Sequence, residues 1–179
     1  VIKLPLLILL SAAVLGFVAR LYAANPNTLE TLDLSPAEIM ADLVILKKSS
    51  RRLYLMKEGK ILRQYKVDLG GNPNGHKQQE GDNRTPEGHY LLDWRNPESR
   101  YHLSLHVSYP NTEDNLQAKK RGVSAGSNIM IHGQPNNLGW AVKLLRRRDW
   151  TEGCIAVQNA EIEEIWKMVG EDTPIDIVP

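Results

Sequence analysis

The sequence predicts a mainly β domain with one or two helices near its C-terminal end. Three observations carry this. Short segments that alternate apolar and polar residues recur between Asp42 and Val107. Ten prolines and thirteen glycines punctuate the chain, which suits short strands and turns better than a helical bundle. Apolar residues fall at helical spacing most clearly in one late segment, Ala160 to Val169.

The chain begins with a segment unlike the rest. Lys3 is followed by an apolar run from Leu4 to Val18, then by the small residues Ala23 and Ala24. Charged start, apolar run and small-residue end are the layout of a secretory signal. The run is about 15 residues, short of the ~20 that a spanning helix needs. Residues 1–24 therefore read first as a cleavable signal peptide, with an uncleaved N-terminal membrane anchor as the alternative. Residues 25–40 read as a linker. Pro26 and Pro36 interrupt them, and Ser35-Pro36 offers one capped helical turn. The remaining residues, 41–179, form the expected domain.

Within it, "DLVILKK" and "RRLYLMK" predict two strands. "EGK" supplies a turn, and "ILRQYKVDLG" continues as a third. The next stretch, "GGNPNGHKQQEGDNRTPEGHY", is too rich in Gly, Asn and Pro to be regular, and Thr85-Pro86-Glu87-Gly88 fits a type I turn. "HYLLDW" resumes as a strand. In "YHLSLHVSY", Leu103, Leu105 and Val107 share one face, while His102, Ser104 and His106 share the other. "NIMIHG" reads as a buried strand that ends in histidine. Leu138 to Arg147 reads as a short helix. A stronger one runs from Ala160 to Val169, with Asn159 as its cap and Gly170 as its stop. "TPIDIVP" reads as the last strand.

Length and charge narrow the function. A chain of 179 residues suits one domain with a real core. Twenty-two basic and twenty-one acidic residues leave a formal charge of +1, so no general field attracts nucleic acid. One cysteine, Cys154, excludes an intrachain disulfide framework and a multi-cysteine zinc site.

A lone cysteine is commonly a small buried hydrophobe. Cys154 instead follows a polar, glycine-containing turn and precedes the apolar Ile155-Ala156-Val157. A nucleophilic cysteine needs a base, and His132, which closes an apolar strand beside Gly133, is the candidate. Gly153 lets the backbone approach a substrate, and the N–H groups around Gly153 and Cys154 offer an oxyanion hole. His102 and His106 share a strand face but have no obvious third ligand, so no metal is expected. No cofactor is expected either. Arg146, Arg147 and Arg148 read as a solvated helix end, or as a site for carboxylates. Trp140, Tyr109 and Trp150 read first as packing residues, with Trp150 the best placed to bind instead, four residues from Cys154.

These residues carry a resemblance. Ile131-His132-Gly133 followed by Thr151-Glu152-Gly153-Cys154-Ile155 is similar to the signature of the L,D-transpeptidase catalytic domain, or YkuD, family. "VDLGG", the Thr-Pro-x-Gly of "DNRTPEGHY" and the closing helix with "TPIDIV" agree with it. The resemblance implies a β-sandwich-like domain, export to the periplasm or cell envelope, and a part in cell-wall biogenesis and cell shape. It implies peptidoglycan stem peptides as substrates, with Cys154 as nucleophile, His132 as base and the Gly133 carbonyl orienting the histidine. Thr151, Glu152, Trp150, Arg84 and Tyr109 are candidate substrate-binding residues. Acyl transfer would form diaminopimelate cross-links or attach a wall-anchored lipoprotein.

The sequence also departs from the common pattern. Glu152 and Ala156 stand where relatives have histidine and arginine, and "SYPN" and "RDWTEGCIAV" resemble a YafK/ErfK-type branch. That leaves a hydrolase or amidase that frees lipoprotein from peptidoglycan as an alternative, and a non-catalytic wall-binding module as a second.

Overall fold

The structure, a computed structural model, describes residues 40–137 and 149–179. The expected signal or anchor, all of the linker but its last residue, the helix at 138–147, Trp140 and Arg146 to Arg148 lie outside the described residues. Among the described residues, no helix is long and apolar enough to cross a membrane.

Alternation builds the first sheet strands as expected. They are β1 (Leu43–Lys47), β2 (Arg52–Lys57) and β3 (Lys60–Lys66), an antiparallel meander. Val44, Leu46, Leu53 and Leu55 point inward and are fully buried. Glu58 and Gly59 join β2 to β3 with φ of 49° and 74°, the pair of positive values that a two-residue hairpin turn of matching twist requires. β3 lies at the sheet edge and keeps mostly polar side chains in water, which discourages edge pairing.

The later strands are β4 (Gly88–Ser99), β5 (His102–Val107), β6 (Met130–His132), β7 (Ile155–Ala156) and β8 (Thr173–Val178). The described residues form an eight-stranded sheet in the order β3-β2-β1-β8-β4-β5-β6-β7. The last strand of the chain is thus central, parallel to β1 and antiparallel to β4, and Ile175 and Ile177 are buried there. β4 runs past "HYLLDW" because two register shifts let it bend while it stays paired with β5. The sheet curls on itself. Beyond β3, Asp68 exchanges backbone hydrogen bonds of 3.0 and 2.9 Å with Ala156 in β7, at the opposite edge.

Two helices are described. α2 (Asn159–Met168) buries Ile162, Ile165 and Met168, as its spacing predicts. Its ends differ from expectation. Gln158 is the cap residue, and its N–H donates to Glu161 at 2.7 Å, while the Asn159 side chain accepts the Gln134 N–H instead. Val169 ends the helix in an extended conformation and bridges Ala41, so Gly170 provides no left-handed stop.

α1 (Thr112–Lys120) was not expected, and it lies mid-chain. It has no apolar stripe: only Asp114 and Ala118 are buried. Reciprocal bonds of 2.9 and 3.0 Å between Asn111 and Asp114, a capping box, start it. The type I turn expected at Thr85–Gly88 is also not formed. Thr85 is buried, its carbonyl accepts the Lys48 ammonium at 2.7 Å and its hydroxyl accepts the Gly70 N–H, so the segment runs irregularly into β4.

Candidate active site

The seam that closes the sheet also shapes the loop before β7. The Thr151 N–H donates to the Leu69 carbonyl at 3.1 Å, and the Gly71 N–H donates to the Thr151 carbonyl at 3.0 Å. The Thr151 hydroxyl donates to the Cys154 carbonyl at 2.7 Å and accepts the Gly153 N–H at 3.2 Å. One threonine thus ties the loop into a small ring around Gly153. Gly153 has φ 135°, and a Cβ there would lie 2.6 Å from the Arg84 carbonyl oxygen. A Cβ on Gly70 would lie 2.2 Å from the Asn83 carbonyl oxygen. Three segments, 67–71, 83–85 and 151–154, therefore meet backbone to backbone, and only glycine allows it at both points.

His132 ends β6, which pairs in parallel with β7, His132 opposite Ala156. The ring is buried, 3% exposed. Its Nδ1 lies 2.7 Å from the Gly133 carbonyl oxygen. A carbonyl can only accept, so Nδ1 carries the proton and Nε2 keeps its lone pair. Tyr101 lies against the ring at a centroid distance of 4.5 Å, and Trp150 meets it edge-on at 5.8 Å. Burial pushes the imidazole pKa down to about 4, with the Gly133 bond opposing it. The ring is a neutral base at neutral pH.

The Cys154 thiol is half-buried and donates to the Asn128 carbonyl at 3.6 Å. Burial pushes its pKa up, and the Glu152 carboxylate adds to that. A hydrogen bond with the Met130 backbone and the Lys77 charge oppose both. Thiol and imidazole are thus both uncharged at rest.

Cys154 and His132 line one cavity of about 640 Å³. Tyr101, Asn128, Trp150, Thr151 and Glu152 line it with them, and Lys77, Glu80 and Arg100 add charge. The volume suits a peptide-sized ligand. The Trp150 indole N–H is buried with no hydrogen-bond partner among the described residues.

The structure therefore brings Cys154, His132, Gly133, Gly153, Thr151, Glu152 and Trp150 together. Of the two N–H groups expected to hold an oxyanion, that of Gly153 is engaged by Thr151. Arg84 and Tyr109 do not join the site. Arg84 lies behind the loop that carries Cys154, with its guanidinium toward the His76 carbonyl. Tyr109 is a core residue, 2% exposed, whose hydroxyl donates to the Ala125 carbonyl at 2.9 Å. His102 and His106 pair with different carboxylates, Glu163 and Asp93.

Sequence reasoning missed Tyr101, Asn128, Lys77, Glu80 and Arg100, which reach the cavity from distant segments without a local motif. It also missed Lys48, a lysine 2% exposed whose ammonium bonds the Gly75 and Thr85 carbonyls at 2.7 Å and Glu87 at 2.9 Å.

With this geometry in place, comparison with known proteins gives a consistent result. Residues 41–177 match YkuD, the L,D-transpeptidase catalytic domain. YafK of Escherichia coli K12 is 30% identical over 112 residues, which are 61% of this chain and 37% of that protein. The crystal structure of the helical cell shape determining protein Pgp2 from Campylobacter jejuni is similar at TM-score 0.58 and 29% identity, over 75% of this chain and 46% of that one. Bd1075 of Bdellovibrio bacteriovorus is similar at TM-score 0.51 and 27% identity, over 78% and 49%. An L,D-transpeptidase from Mycobacterium smegmatis shares the fold at TM-score 0.50 and 15% identity, over 76% and 58%. The chain spans less than half the length of the first three relatives. The chain belongs to the YkuD L,D-transpeptidase catalytic-domain family.

Proposed function

We propose that this member of the family is a cysteine acyltransferase of the cell envelope that acts on peptidoglycan stem peptides. The observation that carries the reading is the Cys154 thiol in one cavity with a histidine whose tautomer is fixed by the Gly133 carbonyl. In the first step His132 Nε2 takes the Sγ proton as the sulfur attacks a peptide carbonyl and the C–S bond forms. The Cys154 N–H is the donor near the developing oxyanion, since Thr151 holds that of Gly153. His132 returns the proton to the leaving amine, the C–N bond breaks, and a thioester remains. In the transferase reading the carbonyl is that of the L-centre of diaminopimelate and the leaving group is D-alanine. A second amine, from diaminopimelate or from a lysine of a wall-anchored lipoprotein, then takes the acyl group.

Glu152 favours a second reading, a hydrolase or amidase of the same bonds. Its carboxylate lines the cavity beside Cys154, where it can orient a water molecule against the thioester.

Two measurements test these readings. Incubation with a carbapenem should give wild type, but not Cys154→Ala, an adduct by intact mass; equal adducts on both would remove Cys154 as the nucleophile. Sacculi carrying bound lipoprotein should then yield new cross-links for a transferase or released lipoprotein for a hydrolase. Binding to sacculi by both proteins, with neither product, would instead mark a wall-binding module.

A further inference from the structure

The irregular connection from β3 to β4 contains one buried cation that reaches the cavity. Lys77 is 4% exposed and lines the same cavity as Cys154. Its ammonium donates to Asp82 Oδ1 at 2.8 Å and to the Gln79 carbonyl at 3.1 Å. An ammonium has three donors, so among the described residues one remains without a partner.

Asp82 forms an ion pair with Lys77 but is not held by it alone. Its carboxylate also accepts the backbone N–H groups of Gln78 at 2.7 Å, Gln79 at 3.1 Å and Arg84 at 3.0 Å. Four donors of the same loop share its carboxylate, three of them backbone N–H groups. The loop therefore curls around Asp82, and Asp82 fixes Lys77 in place at the cavity wall. A fixed, poorly hydrated ammonium with a spare donor is a receptor for an anion. The other charges at the cavity sort the substrate. Glu80 and Glu152 repel carboxylates, and Arg100, the other cation among the described lining residues, is exposed and well hydrated.

We propose that Lys77 anchors the free C-terminal carboxylate of the peptide that Cys154 attacks, with Asp82 as its positioning residue. The site would then select peptides whose scissile bond precedes the terminal residue, and the departing amine would carry that carboxylate. This rests on the stem-peptide reading above and adds to it the group that is recognised.

The test compares two probes on Cys154→Ala, which can bind without reacting. One is a stem tetrapeptide that ends in diaminopimelate and D-alanine; the other is the same peptide with a C-terminal carboxamide. Calorimetry should show the acid binding about tenfold to a hundredfold more tightly, as a charge-assisted hydrogen bond requires. Adding Lys77→Met with Asp82→Asn, which leaves neither charge unpaired, should bring that ratio to about one. Adding Arg100→Gln should leave it unchanged. Equal binding of acid and amide, persistence of the preference without Lys77, or its loss with Arg100→Gln would each overturn the anchor while leaving the stem-peptide reading intact. Failure of both peptides to bind would overturn that reading and the anchor with it. The acid and amide comparison uses unaltered Lys77, so the answer does not hang on how the double variant folds.

Discussion

Burial of a neutral His132 should make the fold weaken in mild acid through this one ring. The imidazole has a pKa of about 4 in the folded protein against an ordinary value of 6.5. The unfolded chain therefore binds more protons between those values, and stability rises with pH across that window. The contribution is fully present above the ordinary value and is lost as pH falls toward about 4. The ring is 3% exposed, so solvent screening reduces it little. Lowering pH from about 7.5 to about 4.5 should cost about 2.5 kcal/mol from this group alone. Other titrating groups are removed by difference. His132→Asn keeps a donor for the Gly133 carbonyl and cannot titrate. Urea unfolding of both proteins at the two pH values should show wild type losing about 2.5 kcal/mol more than the variant. Parallel losses would mean that the ring is not held neutral by burial and is not a free base at rest.

Three further outcomes can be measured. Iodoacetamide should alkylate Cys154 at a rate that climbs with pH through neutrality and levels only above about 8.5, since burial and Glu152 raise the thiol; a plateau at or below neutral pH would reveal a preformed thiolate–imidazolium pair. Gly153→Ala should lower stability by about 3 kcal/mol, because it combines an unfavourable φ with a close approach to the Arg84 carbonyl. Gly59→Ala, with positive φ but open space, should cost only about 1 kcal/mol, and equal melting shifts for the two would refute the contact. Lys48→Met should cost about 3 kcal/mol by leaving Glu87 and two carbonyls without their donor, and Glu87→Gln should recover part of it in chemical denaturation.

The strands were legible where one face is wet and the other dry, as in β1, β2 and β8, because a period of two is written residue by residue. The Glu58-Gly59 turn was legible because positive φ restricts composition. α1 was not, because its signal is a cap rather than a stripe: Asn111 and Asp114 define its start, and Leu116 remains exposed. Sheet order was not legible either. Nothing local in "TPIDIV" says that the last strand enters between β1 and β4.

The site divides the same way. Cys154 and His132 stood out because each sits beside a glycine in a short motif. Arg84 is close in sequence to the Thr-Pro motif, but its side chain turns behind the loop, while Tyr109 faces the core, as a packing residue does. Lys77 and Tyr101 belong to the cavity through the curl of the sheet, which no window of sequence contains.

The charge state of the pair ties these observations together. Burial keeps His132 neutral, and burial with Glu152 keeps Cys154 protonated. In the proposed acyl transfer, charge must then appear as the C–S bond forms and the proton crosses to Nε2, and the groups that accept it have to be in place beforehand. The Thr151 ring and the two glycine contacts supply that placement by fixing the loop on the seam of the sheet. A resting thiol also resists oxidation better than a thiolate would. In the proposed mechanism, the residues that slow thiolate formation thus protect the nucleophile until a substrate fills the cavity.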